Sequence, residues 1–415
     1  MIPRATVPAA LHYTRRADSR WVVALGDEVS RGSVLASGMC FEHAAAGGVV
    51  VHVDHQRIVI RTRHDHRQEL LDPIDPRDPA NRQAVLRRIQ EAGIVGLGGG
   101  GFPTHLKLLA AARGNVQTLI VNAVECEPGI HCDAELIQHE LPVILEGIDV
   151  VRNLLGVTET YIGCSRSTFF ELPAATTELI EPVEPTDGAE RYLVSRLTGT
   201  DLPMGVRPVD SGSIVLNVGT LHAIARAMAG EALIERVATV FGENLRVLIG
   251  SPLKHFGAGE HFRVGGELSG QVVGADAAIT KETNAVAVSG QFKNLPCIRC
   301  GACDTVCPEK LPVASLVGIS SSEGVLNHAA LGCISCGLCN PVCPSDIDVA
   351  GTIRNMKQVR QHELTRASAA QRSLERSTQH EGRRLVQEAA QAERRAERLA
   401  KLQAAEAAPP VDPRA

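Results

Sequence analysis

Eight of the twelve cysteines fall into two runs of identical spacing. Cys297, Cys300, Cys303 and Cys307 precede Pro308; Cys333, Cys336, Cys339 and Cys343 precede Pro344. Each run reads C-x2-C-x2-C-x3-C-P, a spacing that ligates paired [4Fe–4S] clusters. Three thiolates at steps of three residues let a short loop wrap one face of an iron–sulfur cube. The fourth, thrown beyond the loop, reaches the neighbouring cube. The expected ligand sets are therefore crossed: Cys297, Cys300, Cys303 and Cys343 for one cluster, Cys333, Cys336, Cys339 and Cys307 for the other. Gly301, Ala302 and Gly337 suit backbone lying close to inorganic sulfide. Structural zinc takes paired C-x2-C knuckles and has no use for a third cysteine plus a C-P. Disulfides need an oxidising compartment, which nothing else in the chain suggests. Two clusters side by side make a wire, so another part of the chain must supply or receive electrons.

The second candidate is glycine-rich. Six of the nine residues from Gly93 to Gly101 are glycine, and Phe102-Pro103-Thr104 then opens a helix carrying Lys107. Bare backbone can approach a ring or a phosphate, a helix N-terminus attracts anions, and Lys107 adds a positive charge. No G-K-[ST] ends the loop, so it is not a Walker A motif, nor is it a strict G-x-G-x-x-G fingerprint. The other cysteines, Cys40, Cys126, Cys132 and Cys164, read as buried thiols.

The elements that must hold these sites follow from periodicity. Residues 1–70 read as a small β module, with turn-bounded apolar runs around Gly26, Gly32 and Gly47-Gly48. Asp72–Pro79 is a linker with three prolines. Residues 80–240 alternate helix and strand: helices over Asn81–Ala92 and Leu141–Leu155, strands at Thr118–Val121, Thr160–Gly163 and Ser213–Leu216, and a helix starting near His222. That alternation predicts a parallel sheet with ligands at its strand C-termini. Residues 241–290 turn β-rich, 291–353 hold the cysteines, and 354–415 form a charged helical tail whose end, Pro409–Ala415, is expected to be disordered.

Composition sets the outer limits. The chain is 44% hydrophobic and 21% charged, ordinary for globular proteins. A net charge of −5 and only 3% aromatics argue against nucleic-acid binding. Met1–Arg20 has charges where a secretory signal would have an apolar core. No window is apolar enough to span a bilayer; Leu141–Val157 comes nearest but carries Glu146, Asp149 and Arg152.

Several segments together carry a family resemblance. Gly98–Lys107 resembles the flavin-binding G-G-x-G-F-P-T-x-x-K loop of the NADH-oxidising flavoprotein subunit of respiratory complex I. Asn122–Gly129 is similar to that family's N-A-x-E-x-E-P-G segment, and Asn217–Leu221 to its N-V-x-T-L segment. The pattern G-D-x-V-x-x-G-x-x-L-A near the N-terminus resembles lipoyl- and biotinyl-type barrel-sandwich domains, without the lysine such carriers modify. The whole order resembles the C subunits of Rnf ion-translocating electron-transport complexes. It implies a multidomain α/β chain: a barrel-sandwich module (1–70), a Rossmann-like FMN/NADH domain (80–240), a β-grasp module (241–290), a dicluster ferredoxin domain (291–353) and the tail.

By matching position, the resemblance implies that Gly98, Gly99, Gly101 and Lys107 cradle FMN. Asn122, Glu125, Asn217 and Thr220 would bond its ring or ribityl atoms, and Glu127 would lie near the dinucleotide. It implies NADH as substrate, electrons leaving through two [4Fe–4S] clusters, and no catalytic side chain. It also implies membrane-embedded sister subunits and a ferredoxin-like subunit as partners, with the chain peripheral on the cytoplasmic face of a bacterial inner membrane. One segment departs from the family. Where the family has Y-P-Q-G-G-E beside the nicotinamide, this chain has Pro185-Thr186-Asp187-Gly188-Ala189-Glu190. Proline can neither stack like a phenol nor donate a hydrogen bond. An iron–sulfur adapter without NADH binding, or a soluble NADH dehydrogenase or diaphorase subunit, are the alternative readings.

Overall fold

Alternating apolar residues between glycine turns make strands of the N-terminal stretch: β1 (Ala10–Thr14), β2 (Ser19–Trp21), β3 (Glu28–Val29), β4 (Val34–Gly38), β5 (Glu42–His43), β6 (Gly48–Val53) and β7 (Arg57–Thr62). They form two sheets, β1-β7-β6-β3 and β2-β4-β5. Leu11, Tyr13, Ile58 and Ile60, spaced two apart, point into a shared core. The computed structural model describes residues 1–16, 18–63, 67–181, 183–203, 205–318 and 329–406.

Next come α1 (Arg82–Glu91), α2 (Thr104–Arg113), β8 (Thr118–Ala123), α3 (Cys132–Leu155), β9 (Glu159–Cys164), β10 (Thr176–Leu179), α4 (Glu190–Thr198), β11 (Ser213–Asn217) and α5 (Val218–Met228). The strands form an all-parallel sheet ordered β10-β9-β8-β11. Leu119, Ile120 and Val121 of β8 are fully buried, as a strand covered on both faces requires.

Two helices differ from expectation. Helix α3 starts at Cys132 rather than Leu141, because Pro142 kinks it instead of starting it. Glu140 takes up the bend with φ −135° and ψ 26°. Helix α5 starts at Val218 rather than near His222, because the Asn217 side chain accepts from the Gly219 N–H at 2.9 Å and caps it. The two helices pack so closely that a Cβ on Gly147 would stand 2.0 Å from the Leu221 carbonyl oxygen.

A five-stranded sheet, β13-β12-β16-β14-β15, follows: β12 (Glu235–Val240), β13 (Glu243–Leu248), β14 (His261–Val264), β15 (Gln271–Gly274) and β16 (Ala285–Val288). It begins at Glu235, so the boundary expected at 241 falls inside the β12–β13 hairpin. Phe241 (φ +52°) and Gly242 (φ +88°) make that two-residue turn, with the paired positive φ that matches strand twist. Among the described residues around the cysteine runs are two short helices, α6 (Ala302–Thr305) within the first run and α7 (Val313–Val317) after it. Helix α8 (Val349–Glu406) ends the described chain.

Met1–Arg354 form one compact unit and Asn355–Ala415 a second. The second is helical over its described residues and carries local ion pairs such as Arg384–Glu388. The expected disordered end, Pro409–Ala415, lies outside the described residues. No described helix is long and apolar enough to cross a membrane.

Candidate cofactor sites

The glycine-rich segment forms a loop closed at its base. The Gly96 N–H donates to the Phe102 carbonyl (2.9 Å) and the Gly101 N–H to the Gly96 carbonyl (3.1 Å). Three surrounding elements pin it. The Leu97 N–H donates to Thr220 Oγ1 (2.9 Å), the Leu97 carbonyl accepts from Arg236 (3.3 Å), and the Gly101 carbonyl accepts from Arg16 (2.9 Å). Gly99 (φ +98°) and Gly101 (φ +60°) occupy the left-handed region that favours glycine. Gly98, Gly99 and Gly100 are exposed, and a Cβ on Gly100 would meet no atom of the described residues within 4 Å. The result is a shelf of bare backbone leading into the N-terminus of α2, open enough for a planar ring or a phosphate.

The shelf lies over the strand ends, where ligands bind in open α/β sheets. A Cβ on Gly98 would be 3.4 Å from the Asn217 Cβ. Asn217 and Asn122 are register partners at the ends of β11 and β8. Asn217 donates to Asp133 (2.5 Å) while capping α5. Asn122 donates to the Gly188 carbonyl (2.8 Å) and accepts from the Val124 N–H (3.0 Å). Thr220, only 1% exposed, holds the loop. The Glu125 carboxylate accepts from the Asp133 and Ala134 N–H groups (2.7 and 3.2 Å), at the start of α3. Burial, then the neighbouring Asp133, push Glu125 above the usual carboxylate range; burial raises Asp133 as well.

Two more of the expected cofactor residues bind protein groups. Glu127 reaches across to the five-stranded-sheet module and accepts from the Leu268 (2.6 Å) and Ser269 (3.1 Å) N–H groups. Lys107 pairs with Glu190 at the start of α4. The segment 185–190 is therefore brought beside the loop helix and the end of β8. Asp133 and Arg236 at the base of the site had no motif to announce them; only their burial in the fold does. Cys40, Cys132 and Cys164 are buried, while Cys126 is half-buried against Gly188.

The eight motif cysteines line two separate cavities. One holds Cys297, Cys300, Cys303 and Cys343 among Ile298, Val317 and Val342. The other holds Cys307, Cys333, Cys336 and Cys339 among Leu311, Val313 and Ile334. The two runs repeat each other's backbone. Arg299 (φ +56°) and Ser335 (φ +60°) match, as do Gly301 and Gly337 (+76° and +75°) and Lys310 and Asp346 (+51° and +49°). Non-glycine residues in this region are strained. What the bend achieves is visible in both copies: the Arg299 N–H donates to Cys297 Sγ (3.4 Å) and the Ser335 N–H to Cys333 Sγ (3.3 Å). Four thiols, an apolar lining and amide-to-sulfur bonds fit an iron–sulfur cluster.

Residues 89–226 match the Nuo51 FMN-binding domain family and residues 293–359 match the 4Fe-4S dicluster domain family. The chain is 30% identical to the C subunit of the ion-translocating oxidoreductase complex of Salmonella arizonae and to that of Salmonella gallinarum, over 78% of its own length and 54% of theirs. It thus spans about half the length of the curated relatives it matches. An air-oxidized NAD+-reducing [NiFe]-hydrogenase structure aligns at 16% identity with a TM-score of 0.46, over 67% of this chain and 61% of that one. Its two matched segments are an FMN-binding domain and a 4Fe-4S dicluster domain, and the curated relatives that it resembles over 78% of its length are C subunits of ion-translocating oxidoreductase complexes.

Proposed function

We propose that this chain is the peripheral electron-transfer subunit of a membrane-bound, ion-translocating oxidoreductase, passing electrons between NADH and partner subunits or ferredoxin. FMN on the glycine shelf would accept a hydride and give up its electrons singly to two [4Fe–4S] clusters. Gly98, Gly99 and Gly101 would supply the approach, α2 and Lys107 the positive end, and Asn122 and Asn217 the framework at the strand ends. The two crossed cysteine sets would hold the clusters. The partners would be membrane-embedded sister subunits and a ferredoxin-like subunit, with the chain on the cytoplasmic face.

One observation carries the reading: an open glycine shelf at parallel strand ends and two four-cysteine cavities occur in one compact unit. The direct test is anaerobic purification, iron and acid-released flavin analysis, and an absorbance spectrum before and after NADH. Flavin together with two four-iron clusters, bleached by NADH, is the expected result; absence of released FMN would sink it. A second reading, an iron–sulfur adapter without NADH binding, is favoured by Pro185 and by Glu127, whose carboxylate already accepts two backbone N–H groups. Flavin that NADH fails to bleach would select it.

A further inference from the structure

We infer that the cysteine site of Cys307, Cys333, Cys336 and Cys339 is the inner one, first to receive electrons from the flavin side, and that Glu309 positions it there. The site of Cys297, Cys300, Cys303 and Cys343 is the outer one, which hands each electron to a one-electron acceptor. This rests on the proposed flavin-to-cluster reading.

Two independent contacts tie the inner site to the flavin side. The first runs through Glu309, two residues after Cys307. Its side chain is only 4% exposed and lines the inner cavity. It accepts from the Tyr192 hydroxyl (2.8 Å) and pairs with Arg191 (2.5 Å). Both belong to the first turn of α4, directly after Glu190, the partner of Lys107. Gly188, just upstream, is the acceptor for Asn122. One short stretch, residues 188–192, therefore touches the strand end, the loop helix and the turn after Cys307.

The second contact runs through Gly337, inside the Cys333–Cys339 run. Its φ is +75°, and a Cβ there would stand 2.0 Å from the Leu268 carbonyl oxygen, so this loop lies flat on residues 268–269. The Leu268 and Ser269 N–H groups in turn hold Glu127, in the turn that follows β8.

The outer site differs on both counts. Cys297 and Cys300 are exposed, and Ile298 between them is 66% exposed. The backbone just before Cys297 bonds within the cluster region: the Asn294 N–H to the Asp346 carbonyl (2.9 Å) and the Leu295 N–H to the Ser345 carbonyl (3.1 Å). Electron transfer falls steeply with distance, so the site in contact with the flavin side receives first and the exposed site delivers.

A buried carboxylate held by a guanidinium and a phenol is costly to disturb, and its charge acts on whichever cluster it faces. In Glu309→Gln the amide oxygen still accepts from Tyr192, but the negative charge is gone. Redox titration of the full-length holoprotein, followed by EPR and poised with dithionite, reads this without using the flavin. We expect one cluster's midpoint potential to rise while the other stays fixed, and the shifted signal to be the one that survives in Cys343→Ala. Tyr192→Phe, which keeps the charge and removes one donor, should move the same signal. A shift confined to the signal lost in Cys343→Ala, or no shift in either variant, overturns the assignment. The order is tested separately with Cys339→Ala: dithionite should still reduce the outer cluster, whereas NADH should reduce the flavin and stop there. Outer-cluster reduction by NADH in that variant would reverse the order. Failure of NADH to bleach the wild-type flavin would instead count against the proposed function and leave the potential measurement standing.

Discussion

Asn122 and Asn217 stand side by side as register partners at the ends of neighbouring parallel strands, and each uses both faces of its amide on the protein itself. Asn122 braces the turn after β8 and fixes Gly188. Asn217 starts α5 and grips Asp133 at the start of α3. The floor beneath the glycine shelf is thus rigid before any cofactor binds, which is the preorganisation a cofactor site needs.

Asn217→Ala should therefore cost more than a lost helix cap. The cap is worth about 1 kcal/mol. Stripping the buried Asp133 carboxylate of its amide donor adds about 1–3 kcal/mol. Denaturant unfolding should show a loss of about 2–4 kcal/mol, well above that for Asp210→Ala, which removes an exposed ion pair with Arg207. Asn217→Asp keeps the cap but sets two carboxylates together. It should be the worse variant at neutral pH and improve on acidification. Equal losses for Asn217→Ala and Asp210→Ala would show that Asp133 does not depend on Asn217.

Lys107 separates stability from binding. Its ion pair with Glu190 is partly exposed, so Lys107→Ala should change unfolding free energy by less than about 1 kcal/mol. If the ammonium also serves a flavin phosphate or ring, flavin affinity should fall about tenfold, the equivalent of 1.4 kcal/mol. Fluorescence titration of the flavin-stripped protein with FMN measures it. Unchanged affinity would leave Lys107 only its Glu190 pair.

The kink in α3 supplies an acid limb. His222 first, then Arg246, hold the Glu140 carboxylate below its ordinary 4.5, at about 2. A depressed carboxylate stabilises the fold above its unfolded value, and that contribution disappears as pH falls through the folded one. Glu140→Gln should therefore cost about 1–2 kcal/mol at neutral pH. The gap from wild type should close between pH 4.5 and 2. Thermal melts across that range check it; a gap that persists at the acid end would mean that packing at the kink, and not charge, is what Gln disturbs.

Legibility in the sequence tracks how local each cause is. The cysteine spacing is a local signal, and the crossed sets it implies line two separate cavities. Strand and helix order in 80–240 is readable from apolar periodicity, because β8 and β11 are buried on both faces. Helix starts are hidden where one side chain decides them. Asn217 moves α5 forward by capping it, and Pro142 bends α3 at the point where periodicity would open it. The boundary at 241 fails because β12 looks like any other apolar strand until Phe241-Gly242 folds it onto β13. Least legible are roles set by distant partners: Glu127 with Leu268, Glu309 with Tyr192, Arg236 with Leu97. No spacing rule connects such residues, since each bond depends on how whole modules pack.

Gly100 offers the cleanest probe of the shelf. Gly101→Ala would be ambiguous: its φ of +60° strains a side chain, and a Cβ would stand 2.4 Å from the Glu282 carboxylate. At Gly100 neither penalty applies, because the backbone is outside the left-handed region and no atom of the described residues lies within 4 Å of a Cβ. Among the described residues, then, nothing requires glycine at 100. Gly100→Ala should leave the unfolding midpoint within about 0.5 kcal/mol of wild type, as a surface change away from any packed feature does. A flavin ring or phosphate resting against the shelf would meet the new methyl group, and FMN retention through gel filtration should drop sharply. If the variant keeps FMN as wild type does, the close approach lies elsewhere on the loop, and Gly98, whose Cβ would face Asn217 at 3.4 Å, becomes the position to probe.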